Sequence, residues 1–310
     1  MPLPASLDGR LRLPLIAAPM FLVSGPELVS ACCRAGIIGA FPSLNARPIE
    51  QLEEWLTELD RVTADTAPYA VNLIVHKSNG RLQQDLDLVI QHKVPVVITS
   101  VGHPGDIAET VHGYGGIVLH DVIHLHHARK AVDAGVDGII LVCAGAGGHA
   151  GLLSPFTLVP QLRAQYDGTI ILSGALSDGR ALKAARVLGA DLGYMGTRFI
   201  ATQEARADQD YRRMIVEAES TDIVYTNKVS GIWGNFLRDS LDASGIAYDI
   251  AGPQVKKDVN MDLAARDEGD AGAKKAWKEV WSAGQGVGQI HDVLPVAELV
   301  ARLQAEYEHA

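Results

Sequence analysis

Short apolar runs recur along most of the chain at a nearly regular interval, and this spacing restricts the fold more than any other feature. Each run has a length that suits one β-strand, and the runs begin roughly 20–30 residues apart, as expected for repeated strand–helix units. Segments with helical periodicity follow most of them. The runs lie at 14–18, 37–41, 69–75, 94–99, 116–119, 138–143, 169–173 and 191–195.

Strands that are apolar throughout and alternate with helices predict a parallel sheet that is covered on both faces. One intervening helix places four large apolar residues on a single face, namely Leu52, Trp55, Leu56 and Leu59. Eight such units favour an α/β fold of the (β/α)8 TIM barrel type. An open doubly wound sheet stays open as the alternative, because periodicity does not show whether a sheet closes on itself.

The alternation of strand and helix stops after about residue 200. The stretch 203–282 is patterned as helices with polar loops, and an amphipathic helix follows at 295–308. We therefore predict two domains. Residues 1–202 and 283–310 form the barrel, and residues 203–282 form a smaller helical cap domain on its substrate side.

The charge balance argues against some classes of partner. With 27 Lys and Arg against 37 Asp and Glu, the chain has a net charge of −10 and no basic cluster of the kind that binds nucleic acid. No run approaches the roughly 18 apolar residues that span a bilayer, and the N-terminus lacks a signal-peptide pattern. We expect a cytoplasmic protein that binds neither nucleic acid nor membrane.

A glycine-rich segment, AGAGGHAG at 144–151, follows the sixth predicted strand. In a barrel this loop lies at the end that carries the active site. Gly147 and Gly148 would let the backbone approach a flat ligand closely, since no Cβ intervenes. His149 is then a candidate catalytic imidazole, able to act as base or donor near neutral pH. The residues alone leave open a flexible turn with an incidental histidine.

Small residues also end the seventh and eighth predicted strands. The seventh runs into Ser173, Gly174 and Ala175, and the eighth into Gly196 and Thr197. The corresponding loops of barrel enzymes commonly bind phosphate through backbone amides and a helix N-terminus. We predict a phosphate site at these loops, against the simpler alternative of two ordinary glycine turns.

Two further segments lie at strand ends. Ala18, Pro19 and Met20 follow the first predicted strand, and Asn72 lies within the otherwise apolar third strand. A buried amide needs a hydrogen-bond partner. For Asn72 that partner is either a ligand or a neighbouring backbone group, and spacing does not decide between them.

Together these segments resemble the nitronate monooxygenase family, formerly called 2-nitropropane dioxygenases. The resemblance covers about residues 12–203 and resumes weakly at 281–286. Its Gly-Gly-His and Met-Gly-Thr-Arg-Phe motifs are typical of a wider group that includes FMN-dependent enoyl-thioester reductases and NADH:quinone reductases. The segments that carry it are Ala18-Pro19-Met20, Val71-Asn72-Leu73, Ala146-Gly147-Gly148-His149-Ala150-Gly151 and Met195-Gly196-Thr197-Arg198-Phe199.

The resemblance implies FMN as the cofactor. The phosphate of FMN would lie at the turns after the seventh and eighth strands, with its ring against the ends of the first, third and sixth, and His149 would be the catalytic imidazole. The implied cofactor-binding residues are Ala18, Pro19, Met20, Asn72, Gly147, Gly148, Ser173, Gly174, Ala175, Gly196 and Thr197.

The resemblance also implies a reaction, in which a nitronate or nitroalkane is oxidised with O2 to a carbonyl compound and nitrite. The runner-up is an NAD(P)H-dependent FMN reductase of quinones or enoyl thioesters. More distant alternatives are a flavin-binding protein without turnover, and a phosphosugar isomerase or aldolase that holds phosphate on the same loops. The partners expected are a small-molecule substrate and O2, and a homodimer stays open.

Four histidines lie close together after the fifth predicted strand. His120 and His124 are four residues apart, a spacing that zinc sites use, but no acidic or cysteine residue convincingly completes a ligand set. We expect the solvated start of a helix there and no metal site. The cluster consists of His120, His124, His126 and His127.

Overall fold

Eight parallel strands close into a barrel in the computed structural model, which describes residues 3, 4, 6–248 and 280–310. The strands of the barrel are, in order around it, β1 (Leu15–Ala17), β2 (Ile38–Pro42), β3 (Tyr69–Ile74), β4 (Val96–Ser100), β5 (Ile117–Val122), β6 (Gly138–Val142), β8 (Thr169–Ser173) and β9 (Leu192–Met195). Because β9 pairs in parallel with β1, the sheet has no open edge. The predicted TIM barrel is confirmed, and each predicted run overlaps one barrel strand.

Helices cover the outside of the barrel. Toward the C-terminus, the described residues form the short α8 (Thr197–Ile200), α9 (Gln209–Glu217), α10 (Arg238–Ala243) and α11 (Val296–His309). The predicted apolar face of the second helix is buried against the strands. The first seven helices are α1 (Pro26–Arg34), α2 (Ile49–Thr63), α3 (Leu82–Gln91), α4 (Ile107–His112), α5 (Leu125–Asp133), α6 (Pro155–Arg163) and α7 (Gly179–Leu188).

The interior of the barrel changes from apolar to polar toward the carboxyl ends of its strands. Ile98 in β4 and Leu119 in β5 belong to the apolar interior and are fully buried. Two residues further along the same strands, and therefore on the same face, stand Ser100 and Asp121. We call this last interior layer the floor. It consists of Ala18, Pro42, Asn72, Ser100, Asp121, Val142, Ser173 and Tyr194.

The described part of the predicted cap contains strands as well as helices. Strands β10 (Ile223–Thr226) and β11 (Gly234–Leu237) pair antiparallel, and β11 also pairs with the two-residue strand β7 (Gly148–His149). The prediction of helices alone was therefore wrong for these strands. The Ile-Val-Tyr-Thr run of β10 suits a strand, but it is short and its partners are distant in the sequence.

The division of the chain into barrel and cap stays a prediction, because residues 249–279 of the predicted cap lie outside the described residues. The predicted C-terminal helix is present as α11, which packs on α7 and α1. Its Glu306 side chain accepts a hydrogen bond from Gly179 N at 2.8 Å, at the first residue of α7. The end of the chain is thus part of the barrel's outer layer.

Cys32, Cys33 and Cys143 are all buried and form no disulfide. In the part of the chain that the structure describes, no helix combines the length and the apolar character needed to cross a bilayer.

Candidate active site

A large cavity opens at the carboxyl ends of the barrel strands, where barrel enzymes carry their active sites. Its volume is about 1140 Å³. A single small-molecule ligand typically occupies roughly 300–1,000 Å³, so a cofactor and a substrate have room together. All the predicted catalytic and cofactor-binding residues line this cavity, namely Ala18, Pro19, Met20, Asn72, Gly147, Gly148, His149, Ser173, Gly174, Ala175, Gly196 and Thr197.

The glycine-rich loop between β6 and β7 lies close against a segment from the far end of the chain. A Cβ on Gly147 would come within 2.8 Å of Gly284 N, so a side chain does not fit there. Gly148 has a φ of +67°, in the left-handed region that favours glycine. The carbonyl of Gly145 accepts a hydrogen bond from Gln285 N at 2.9 Å. This explains structurally why the weak resemblance resumes at 281–286.

The loops after β8 and β9 lie side by side, because these two strands are neighbours in the barrel. Gly174 and Ala175 both have positive φ, at +135° and +53°. The amide of Ala175 donates to the Gly145 carbonyl at 3.3 Å. Thr197 Oγ1 accepts from Gly284 N at 2.9 Å and keeps its own hydroxyl proton for another acceptor. The arrangement brings the predicted phosphate-binding residues to one side of the cavity.

These features fit a flavin nucleotide. Two adjacent turns of small residues could bind the phosphate. Gly148 and the floor line the same cavity as those turns. Gly196 leaves ordinary contact space, since a Cβ there would lie 3.6 Å or more from Ala18 and Met20. The loops after β8 and β9 are therefore the part of the cavity that could hold the phosphate of a flavin.

His149 lies in β7, opposite Gly234 of β11, and its side chain lines the cavity. Its Nε2 lies 3.0 Å from Ser230 Oγ. Burial lowers the pKa of His149 to about 4, because the cationic form is poorly solvated there. The imidazole is therefore neutral near pH 7, with one nitrogen as donor and the other as acceptor.

A chain of hydrogen bonds crosses the floor from β3 to β5. Asn72 Nδ2 donates to Ser100 Oγ at 2.7 Å and to the Ile98 carbonyl at 3.2 Å. Ser100 Oγ donates in turn to Asp121 Oδ2 at 2.6 Å. The sequence left open whether Asn72 bonds a ligand or a neighbouring backbone group. In the structure it bonds the Ile98 carbonyl and the Ser100 side chain, and it also lines the cavity. Burial raises the pKa of Asp121 to about 6, against the effect of hydrogen bonds from Ser100 and Val101.

Backbone strain is concentrated around the cavity. Of the described non-glycine residues, Leu22, Val101 and Ala175 line the cavity and have φ values between +53° and +60°. Side chains with a Cβ rarely adopt this conformation, and a β-branched residue such as Val101 does so at particular cost. Strain of this kind tends to cluster at functional sites.

Aromatic side chains from the predicted cap region form the wall beyond His149. Tyr225 stacks on Trp233 and Tyr211 stacks on Trp281, with ring centroids 5.0 Å apart in each pair. All four line the cavity. Sequence reasoning missed them, together with Ser230 and Ser100. For Ser100 the available signal was its place as a polar residue at an inward position of an apolar strand. Ser230 and the aromatic residues depend on contacts between distant segments.

The histidine cluster has local roles in the structure. His120 is buried, with Nδ1 2.7 Å from Thr99 Oγ1, and burial lowers its pKa to about 4. His124 is the N-cap of α5, since its ring accepts a hydrogen bond from His127 N at 3.3 Å. Among the residues the structure describes, no group of three or more His, Cys, Asp or Glu side chains could hold a metal ion.

The fold and the cavity define the chain as a barrel enzyme, with its functional groups on the loops at the carboxyl ends of the strands. A family model described as nitronate monooxygenase matches residues 79–306. The chain belongs to the nitronate monooxygenase family. It is accordingly an oxidoreductase that works with a flavin.

Several known proteins are similar along most of the chain. A nitronate monooxygenase of Paraburkholderia phytofirmans is 26% identical, over 96% of this chain and 93% of that protein. A (3aS,4S,5R,7aS)-5-hydroxy-7a-methyl-1-oxo-octahydro-1H-indene-4-carboxyl-CoA dehydrogenase of Rhodococcus jostii is 28% identical, over 75% of this chain and 65% of that protein. The structure of FabK from Thermotoga maritima has the same fold, with a TM-score of 0.81 at 24% identity over 98% of this chain and 94% of that one.

Proposed function

We propose that the protein is an FMN-dependent nitronate monooxygenase, which oxidises nitronates with O2 to carbonyl compounds and nitrite. The observation that carries this proposal is the neutral imidazole of His149 on the wall of the cavity, close to the glycine loops. Family membership and the relative from Paraburkholderia phytofirmans support the same reaction. Bound FMN would supply the electron acceptor.

The ionisation of His149 favours nitronates over neutral nitroalkanes. An imidazole whose pKa is about 4 is a weak base, so it removes a proton from a nitroalkane only slowly. A nitronate has already lost that proton. The neutral imidazole still has one N–H, and this group can donate to a nitronate oxygen in a water-poor pocket, where such a bond is strong. His149 then acts as a donor that orients the anion.

The adjacent turns after β8 and β9 would anchor the cofactor at its phosphate. FMN, with its terminal phosphate, suits one compact site on two neighbouring loops. The floor would lie beneath the ring, and the stacked aromatic pairs Tyr225–Trp233 and Tyr211–Trp281 would exclude water above the substrate. Water exclusion strengthens the interaction between His149 and an anionic substrate.

Turnover of a nitronate and of its parent nitroalkane tests this proposal. With the FMN-loaded enzyme in air, we expect propionate 3-nitronate to give nitrite with a kcat/KM roughly 100-fold above that of 3-nitropropionate at pH 7. The nitroalkane must first lose a proton, and a weakly basic imidazole loses general-base assistance of about that factor. Nitrite is measured colorimetrically and O2 with an electrode. Equal rates for the two substrates, or no nitrite from either, would contradict the proposal.

A reductase of conjugated thioesters is the second candidate, and the similarity to a carboxyl-CoA dehydrogenase is the observation that favours it. Anaerobic stopped-flow mixing separates the two candidates. The monooxygenase requires that the nitronate bleach the flavin absorbance quickly and that NADH do so slowly. Rapid bleaching by NADH with none by the nitronate would establish the reductase instead.

A further inference from the structure

Asp121 is a carboxylate in the floor, and none of the described residues provides a counter-ion for it. It lines the cavity at the end of β5, and its Oδ2 accepts from Ser100 Oγ at 2.6 Å. No ion pair joins it to a Lys, Arg or His among the residues that the structure describes. An isolated charge at a poorly solvated position is costly, and a group of this kind in a cleft is a candidate functional residue.

Groups at the end of β4 donate hydrogen bonds to the Asp121 carboxylate. Ser100 uses its hydroxyl proton on Asp121 and receives a hydrogen bond from Asn72, so the whole chain of donors points toward Asp121. The amide of Val101 also acts on the carboxylate and lowers its pKa. Val101 does so with a φ of +59°, in the region that β-branched residues avoid. These contacts stabilise the ionised form.

Several other titratable groups that line the cavity are uncharged near neutral pH. Burial lowers the pKa of His120 and His149 to about 4 and also lowers that of His127, while burial and Asp121 raise the pKa of Tyr194. Among the remaining lining groups, Arg206 is paired with Glu27. The other groups that line the cavity and can carry charge are His76, His103, Lys130 and Asp208.

We propose that Asp121 and the ring of the reduced flavin carry one negative charge between them, so that two-electron reduction of the bound cofactor takes up two protons. The inference rests on the proposed function, because it requires the flavin ring to lie over the floor. Two like charges close together in a poorly solvated site do not both persist. The second proton goes either to the ring or to the carboxylate.

The balance of charge distinguishes this behaviour from that of a site without the carboxylate. With Asp121 ionised, the oxidised site has one negative charge, and adding two electrons and two protons leaves that charge unchanged. With an uncharged residue at the position, two electrons and one proton give an anionic reduced ring. Each proton changes the two-electron midpoint potential by about 30 mV per pH unit, so the two cases differ twofold in slope.

Redox titration of the FMN-loaded protein between pH 7 and 8.5 measures the proton count. Dithionite is the reductant, and flavin absorbance is followed beside a reference dye. We expect two protons per two electrons in the parent and one in Asp121→Asn. At pH 8 the variant's reduction equilibrium should be about tenfold more favourable, which corresponds to about 30 mV.

Asp137→Asn is the matched control. Its carboxylate accepts from Val118 N at 2.7 Å, at the amino end of β5 and away from the cavity, so the proton count should stay at two. Ser100→Ala is a second variant that keeps Asp121. The pKa of this carboxyl is about 6 in the parent, and loss of the hydrogen bond raises it. In titrations extended down to pH 5, the pH above which the second proton is taken up should therefore move upward.

The outcomes separate the inference from the proposed function. One proton in the parent, or two in both the parent and Asp121→Asn, would overturn the role of Asp121 even if nitronate is oxidised. If Asp121→Asn does not bind FMN, an unchanged profile in Ser100→Ala would overturn it equally. A parent chain that binds no flavin would instead reject the proposed function.

Discussion

In the proposed reaction, the imidazole of His149 acts in its neutral form. Its surroundings disfavour the cation and lower the pKa to about 4, well below the ordinary value of 6.5. Asp121 in the floor has the opposite shift, to about 6, for the same physical reason, since burial disfavours the charged form of either group. The two residues therefore differ in charge at pH 7, although they line the same cavity.

Replacing His149 tests whether it acts as a hydrogen-bond donor. His149→Ala should lower kcat/KM for the nitronate about 100-fold at constant FMN content, and His149→Gln should recover part of that loss because its amide keeps an N–H. Steady-state nitrite formation measures both. His112→Gln is the control, since His112 is paired with Asp137 outside the cavity.

The pH dependence of kcat/KM in the same variants tests the ionisation state of His149. The functional form is the neutral imidazole, and its folded pKa lies near 4, so its contribution should stay constant from pH 8 to about pH 5 and fall as the pH approaches 4. An ionisation between pH 6 and 7 that is present in the parent and absent in His149→Gln would contradict this assignment.

At the scale of elements, the site is held together by contacts between loops that are far apart in sequence. The β6–β7 loop contacts the 283–286 segment, and Asn235 of β11 donates to the Ala146 carbonyl at 2.6 Å. Pairing of β11 with β7 places His149 in a small sheet, so a rigid element and not a free loop presents the imidazole. Such preorganisation is what electrostatic stabilisation of an anion requires.

Close packing at Gly147 makes this junction sensitive to one methyl group. Gly147→Ala would place a Cβ 2.8 Å from Gly284 N, where backbone atoms must move, so we expect the purified variant to retain less than about a tenth of the parent's FMN. Bound flavin per chain is measured by absorbance. Gly80→Ala is matched, because nothing lies within 4 Å of a Cβ there, and it should bind FMN normally.

The elements differ in how far the sequence predicted them. The barrel strands are continuous apolar runs whose pattern is local, and the residues after them fall at the cavity because parallel strands end on one face. Strands β10 and β11 were missed, since their pairing joins segments that no local pattern connects. Ser230 was missed for a similar reason, because its contact with His149 joins segments 81 residues apart, whereas Ser100 had a local signal at the inward face of β4 that was not used.

Across the described part of the molecule, the candidate functional groups lie at one end of the barrel. The lower interior is apolar, and the floor, the glycine loops and the aromatic wall all belong to the carboxyl end of the strands. The helices outside the barrel pack around it and against one another, and α11 packs on α7 and α1. Strain at Leu22, Val101 and Ala175 is confined to the same end, where the packed barrel holds these conformations in place.

We propose that the turns at Gly174–Ala175 and Gly196–Thr197 hold the phosphate of FMN and thereby place the ring near His149. Titration of the apoprotein with FMN and with riboflavin, which lacks the phosphate, tests it most directly. Charge-assisted hydrogen bonds contribute about 1.5–3 kcal/mol each, so FMN should bind at least about 100-fold more tightly. Equal affinity for the two flavins, or no binding of either, would contradict the account.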